Sequence, residues 1–251
     1  MENKSQSFCI KLADTVVQID PIYSYLQEYC KDYIVDAEPE FIIRTESSDI
    51  VFEQNCSDKE AAKEGHPPVA YSEDYLETLA VYRKIAVQLL KKQVLLFHGS
   101  VIAVDGEGYL FTAKSGTGKS THTALWHRLF GARAVTVNDD KPLLKISGQE
   151  AIVYGTPWSG KHNLNKNISV PLKAICVLER AAENHIKRVN PREVYGMLLQ
   201  QAYRPTEASA MQQTLQLVDR LMESTGFYRL GCNMDPSAAQ VAYDGMKGEQ
   251  K

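Results

Sequence analysis

The chain has 251 residues, 44% of them hydrophobic and 24% charged; 28 Lys and Arg stand against 31 Asp and Glu, a net charge of −3 with a pI near 6.1. That length accommodates about one to two domains and a sizeable core, and the composition excludes a disordered chain, a collagen-like chain and a coiled coil. No surplus of Lys and Arg exists to neutralise phosphates, which excludes a general affinity for nucleic acid. The longest mostly apolar run, residues 94–104, is too short for about 30 Å of hydrocarbon, so no membrane partner is expected.

The N-terminal MENKSQSFCIKLADT lacks a basic stretch running into an apolar one, so no secretory signal is expected. The cysteines Cys9, Cys30, Cys56, Cys176 and Cys232 are scattered, and no two have metal-ligand or redox spacing. They read as reduced thiols of a cytoplasmic protein. Residues 8–19 are strand-like, residues 21–33 admit a short helix with Ile22, Leu26 and Tyr29 on one side, and residues 41–44 and 50–53 read as two more strands. The charged SDKEAAKEGHPP of residues 57–68 reads as a linker. Residues 1–68 are thus expected to form a small α/β subdomain, and residues 69–251 a larger domain.

In the larger domain, residues 72–92 predict one helix with Ser72 as N-cap and an apolar stripe of Leu76, Leu79, Tyr82, Ile85 and Leu89. Residues 94–104 and 109–113 flank the turn Asp105-Gly106-Glu107-Gly108. A glycine-containing loop leads into a helix over 119–130 that Gly131 stops. Residues 134–137 are strand-like, and residues 143–146 and 151–154 flank Ser147-Gly148 as a second hairpin. Residues 174–178 predict a buried strand. Asn190, Pro191 and Glu193 read as cap, first position and third position of a helix running to about residue 203. Another helix is predicted over 208–222, a strand over 227–230, and a last helix from Asp235-Pro236 to about residue 246. The whole reads as α/β, with hairpins mixed among strand–helix units.

The segment AKSGTGKST, residues 113–121, has the pattern of a nucleotide phosphate loop, with Ala113 where the first glycine usually stands. Gly116 and Gly118 permit positive φ and turn successive N–H groups toward one anion. The helix that follows aims its positive end at the same place. Lys114, Ser115, Gly116, Thr117, Gly118, Lys119, Ser120 and Thr121 are therefore candidate phosphate-binding residues, with Lys119 reaching the outer phosphates and the Ser120 hydroxyl available to Mg²⁺. The expected strand before the loop and helix after it supply the required context.

Asp139 and Asp140 close the next strand, and ligands of such sheets sit at strand carboxyl ends. Adjacent residues of an extended chain point in different directions, so one carboxylate can hold a metal while the other takes a proton from an attacking hydroxyl. His98, beside Gly99, is either a hydrogen-bonded structural residue or a group that tunes the acid pair. The loop Gly155-Thr156-Pro157-Trp158-Ser159-Gly160-Lys161-His162 offers Lys161 for phosphoryl charge and Trp158 for packing a base or a peptide, or is an ordinary surface loop. Arg180 is either a salt-bridged strand end or a phosphate ligand. His122 and His127 read as packing or surface residues.

The segments HGSVIAV (98–104), AKSGTGKST (113–121) and VNDD (137–140), in that order, resemble the catalytic domain of the HPr kinase/phosphorylase family. The loop with its acid pair is also similar to that of ATP-dependent phosphoenolpyruvate carboxykinases, which share the core. The closer likeness is to short HPr-kinase-like proteins, among them kinases of lasso-peptide precursors, in HGSVIAVDGEGYLFTAKSGTGKSTHTALW, DDKPLL and GTPWSGKHNLNKNISVPLKAICVLER. It covers residues 94–180 well and the rest weakly. The resemblance implies an α/β P-loop kinase core with a mixed sheet and hairpins, and ATP- and Mg²⁺-dependent phosphorylation of a hydroxyl, a serine on a protein or peptide. It implies that the loop binds phosphates, that Ser120 holds the metal with one of the acid pair, taken here as Asp140, and that Asp139 or Asp140 is the base, assisted by His98. It leaves room for a homo-oligomer. Two departures set the chain apart from full-length members: a shorter, unlike stretch before Val69, and Tyr154-Gly155-Thr156-Pro157-Trp158 in place of an arginine-containing segment. The alternatives are a small-molecule kinase or carboxykinase-like enzyme, and a non-catalytic nucleotide-sensing module.

Overall fold

The computed structural model describes residues 6–114 and 116–248. The chain divides into two compact units, Met1–Gln88 and Leu89–Lys251.

In the first unit, β1 (Phe8–Leu12) and β2 (Thr15–Asp20) pair antiparallel, and β3 (Phe41–Arg44) runs parallel to β2. Residues 8–19, expected as one strand, are thus two. The chain reverses at Ala13 and Asp14, both with positive φ, a conformation that Asp tolerates better than most residues. A short helix, α1 (Tyr25–Tyr29), and a single 3₁₀ turn stand where one short helix was expected. The largest correction is α2 (Ser47–Glu64), which replaces both the strand expected over 50–53 and most of the linker expected over 57–68. Ile50 and Glu53 are buried while Val51 and Phe52 are exposed, which is helical spacing. The charged SDKEAAKE is rich in Ala, Lys and Glu, strong helix formers; its polarity marks a solvated helix face. The helix ends on Gly65 at φ 75°. The loop between α2 and α3 (Glu73–Leu90), where the boundary was expected between residues 68 and 69, lies inside the first unit; the division falls after Gln88, near the end of α3. The fully buried Glu77 carboxylate on α3 accepts the N–H groups of Ile22 and Tyr23 and the Thr45 hydroxyl. It thereby satisfies three donors that burial would otherwise strand.

The second unit contains β4 (Val94–Leu96), β5 (Ser100–Val104), β6 (Glu107–Thr112), α4 (Lys119–Phe130), β7 (Ala134–Asn138), β8 (Leu143–Ser147), β9 (Glu150–Tyr154), β10 (Ser169–Arg180), β11 (His185–Arg188), α5 (Pro191–Gln201), α6 (Ala208–Ser224), β12 (Gly226–Cys232) and α7 (Ser237–Lys247). The strand expected over 94–104 breaks at Phe97–Gly99 into β4 and β5, which have different partners. The expected capping box at Asn190 is present: Asn190 accepts the Arg192 N–H, and Glu193 accepts the Asn190 N–H.

One mixed sheet organises the unit, in the order β4-β8-β9-β10-β6-β5-β7, with β12 on β10 and β11 on β12. The long β10 pairs with β9 through Ser169–Pro171 and with β12 from Ala174 onward. Strand direction positions the candidate site. β6, β10 and β12 run parallel, and β5 is antiparallel to both β6 and β7. The carboxyl ends of β6, β7, β10 and β12 and the start of β5 therefore share one edge, although their residues span the sequence from His98 to Met234. Behind that edge, Tyr109 and Phe111 of β6, Trp126 of α4 and Tyr243 of α7 form an edge-to-face and tilted aromatic cluster in the core.

Candidate functional site

The glycine-rich turn after β6 forms the centre of that edge. Gly116 has φ 72° and Gly118 φ 117°, backbone conformations that glycine alone enters freely. The Lys114 carbonyl accepts both the N–H and the hydroxyl of Thr117, closing the turn. Gly118 is the N-cap of α4, and Lys119, Ser120 and Thr121 make its first turn. Ser115 lies outside the described residues.

Residues Gly116 to Thr121, the acid pair Asp139 and Asp140, and Gly160, Lys161 and His162 line one cavity of about 490 Å³. Most of the residues expected to act together are thus together. Lys114 is exposed and contributes through its carbonyl. Arg180 lies on the other flank of the turn, where its guanidinium donates to the Gly116 carbonyl at 2.6 Å. Trp158 is fully buried, with its carbonyl bonded to Asn138, so it presents no ring for stacking.

The acid pair is held in two contrasting settings. Asp140 receives His98 Nε2 on Oδ1 at 3.1 Å and has Lys141 Nζ 4.0 Å from Oδ2. Its backbone carbonyl accepts the Gly99 N–H at 2.9 Å. His98-Gly99 therefore clamps Asp140 by side chain and main chain. Gly99 is closely packed there: a Cβ would stand 2.9 Å from Leu110 Cδ2 and 3.0 Å from the Phe111 carbonyl oxygen, so a larger residue would crowd both. Burial alone would push the Asp140 carboxyl up, but the His98 hydrogen bond and the charges of Lys141, His98 and Lys119 outweigh it and hold the group below the usual range. Asp139 goes the other way. Burial, helped by the Asp140 charge, pushes it up against the opposing hydrogen bond from the Gly160 N–H at 2.6 Å. Burial also lowers the Lys119 ammonium, opposed by Asp140.

Asn138, at the end of β7, carries the pair and was not singled out by the sequence reading. It is fully buried. Its Oδ1 accepts the N–H groups of Asp140 and Lys141 at 2.9 and 2.7 Å, and its Nδ2 lies 3.1 Å from the Thr156 carbonyl, the Thr156 hydroxyl and the Trp158 carbonyl. One amide thus fastens the turn at 139–141 to the loop at 155–160. That loop is pinned again by Gly155 N–H to the Ile168 carbonyl and Lys166 N–H to the Val137 carbonyl. Only glycine fits at 155, since a Cβ would stand 1.9 Å from the Lys166 oxygen. An Asn between a strand and an acid pair is the one sequence signal that could have exposed this role.

Two hard oxygen donors, the Ser120 hydroxyl and the ionised Asp140 carboxylate, line the cavity. They suit Mg²⁺, which keeps several waters and completes its shell with ligand phosphates. Among the described residues no cluster of three or more His, Cys, Asp or Glu forms a metal cage. His122 and His127 are packing residues: His122 is buried against Trp126, and His127 Nε2 meets the Thr136 hydroxyl at 2.7 Å. The cysteines are free thiols, and no described helix is long and apolar enough to cross a membrane.

Compared with known proteins, residues 71–224 match the family described as SynChlorMet cassette protein ScmC. No curated protein matches the chain. Among solved structures, the Hpr(Ser) kinase/phosphatase from Coxiella burnetii is similar over 61% of this chain and 99% of that one, at 12% identity and a TM-score of 0.34.

Proposed function

The chain belongs to the ScmC family, and we propose that it is a kinase: it binds ATP with Mg²⁺ and passes the terminal phosphoryl group to a hydroxyl, that of a serine in a protein or peptide. The observation that carries this reading is that one cavity gathers the glycine-rich turn, the first turn of α4, both carboxylates and Lys161. Phosphoryl transfer asks a protein mainly to position its reactants and to stabilise charge, and these residues do both. The N–H groups of 116–121 and the positive end of α4 cradle phosphates. Lys119 and Lys161 offset charge on the group being transferred. Asp140, kept ionised by His98, Lys141 and Lys119, holds the metal with Ser120. Bound there, Mg²⁺ would neutralise charge on the outer phosphate oxygens. Asp139, whose proton affinity is raised by burial, takes the proton from the attacking hydroxyl, since a base works best with a pKa nearer the working pH.

The test is transfer of labelled terminal phosphate from Mg·ATP to a panel of serine-containing peptides, with alcohol metabolites and oxaloacetate assayed beside it. Lys119→Ala and Asp140→Ala are expected to abolish transfer while both retain the fold by tryptophan fluorescence. Transfer retained by Lys119→Ala defeats the reading. Turnover with metabolites alone makes the protein a small-molecule enzyme, and tight ATP binding with no transfer makes it a nucleotide sensor.

A further inference from the structure

A second cavity, of about 430 Å³, opens on the opposite flank of the same turn. It shares Gly116 to Gly118 and Thr121 with the first, but its other walls are His122, Arg180, Ala181, Cys232, Asn233 and Met234. Among the described residues, no carboxylate and no lysine lines it. The volume lies within the range of small-ligand sites. We propose that this cavity holds the nucleoside of the bound nucleotide, with Met234 packing on the base. The inference rests on the phosphate-loop reading above and names the part of the ligand which that reading leaves unplaced.

The geometry of a nucleotide favours this flank. Its phosphates lie along the turn, and the terminal one must reach Lys119 and the acid pair in the first cavity. The other end of the chain then emerges on the side of Arg180 and Met234. The chemistry of the walls agrees. Met234 is 77% exposed, a large apolar side chain with little protein covering it, and thioether sulfur packs favourably on aromatic rings. Cys232 is kept a neutral thiol by burial. His122 is neutral as well: Trp126 Nε1–H donates to its Nε2 at 3.0 Å, so the ring hydrogen sits on Nδ1, which has no partner among the described residues. That nitrogen is buried, so what the ring adds to the wall is an uncharged, packed surface. The first cavity, by contrast, is crowded with carboxylates and ammonium groups and is a poor place for an uncharged ring. The Asn233 side chain is already bonded to the Ala182 carbonyl and the Asp235 N–H, so it shapes the wall.

The test compares two ligands that share the phosphates and differ in the nucleoside: Mg·ATP and Mg·tripolyphosphate, titrated calorimetrically into the full chain and into Met234→Ala. Removing the exposed Met234 side chain leaves the core untouched, and unchanged tryptophan fluorescence checks this. The expected result is an ATP affinity lowered roughly two- to tenfold, the range of a sulfur–aromatic contact, with tripolyphosphate unaffected. ATP is also expected to protect Cys232 from maleimide where tripolyphosphate does not. An unchanged ATP affinity in Met234→Ala overturns the proposal, as does an equal loss for both ligands or equal protection of Cys232 by both. Wild-type protein that binds tripolyphosphate but shows none of the ATP-specific effects loses the nucleoside pocket and keeps the phosphate loop. Wild-type protein that binds neither ligand loses both.

Discussion

His122 is expected to contribute to the acid destabilisation of the second unit. Its ring is 3% exposed, packed edge-on to Phe111 at 4.7 Å between centroids, and bonded to Trp126. Burial pushes its pKa down to about 4 from 6.5. Because the folded state resists protonation, the unfolded state binds more protons between these values, so stability falls as pH falls. The contribution is fully present above the unfolded pKa and is lost as pH drops toward the folded one. Inserting the two values into the linkage relation gives a loss of about 2 kcal/mol between neutral pH and about pH 4.5. Many carboxylates titrate over the same interval, so the quantity to measure is the difference between wild type and His122→Gln, whose amide oxygen can still accept the Trp126 N–H without taking a proton. Both tryptophans, Trp126 and Trp158, lie in the second unit and are buried, so urea unfolding followed by their fluorescence reports on that unit alone. The two proteins are expected to converge in stability by about 2 kcal/mol as pH is lowered. A difference that stays constant across the interval refutes the argument that the ring is held neutral by burial.

The acid pair should respond to substitution with opposite signs. In the absence of ligand at neutral pH, Asp139→Asn is expected to stabilise the second unit, because a raised folded pKa means that the charged form is disfavoured there; the gain should fade as pH falls through that pKa. Asp140→Asn is expected to destabilise it, because a lowered folded pKa contributes stability above the ordinary carboxylate range that is lost only as pH falls through the folded value. Urea midpoints moving in the same direction for both would show that the settings are not distinct. Asn138→Ala leaves the Asp140 and Lys141 N–H groups without their acceptor, and with about 1–3 kcal/mol for each orphaned buried group it should cost at least about 2 kcal/mol; a change below about 0.5 kcal/mol, typical of a neutral surface substitution, would remove Asn138 from its role.

The sequence was most readable where one local chemistry has one outcome. Asn190-Pro191-Arg192-Glu193 can cap a helix and do little else, and it does so. Gly116 and Gly118 before Lys119 require a tight turn into a helix, and α4 begins at the expected residue. Short apolar runs were the weak point. The four residues at 50–53 fit a strand or a helix turn equally, and the side chains that decide, Arg83 and Lys84 pairing with Asp49 and Glu53, come from α3 thirty or more positions away. The four-residue β11, with only Ile186 partly buried against the core, leaves almost no pattern. The apolar run at 94–104 hid a change of partner, since β4 joins β8 while β5 joins β6 and β7.

The site itself follows from strand direction more than from any motif. Between AKSGTGKST and VNDD the chain passes through α4 and β7, and nothing in either segment says that their ends meet. They meet because β5 lies between β6 and β7 and is antiparallel to both, which forces β6 and β7 to be parallel and puts the ends of both at one edge. The same arrangement starts β5 at that edge, so the two residues before it, His98 and Gly99, arrive beside Asp140 without any long loop. Asp139 and Asp140, consecutive past the end of β7, then differ because one meets the loop at Gly160 and the other meets His98, Lys119 and Lys141. The proposed division of the pair into a proton acceptor and a metal holder thus rests on which neighbours the sheet order supplies: the Gly160 loop beside Asp139, and His98, Lys119 and Lys141 beside Asp140.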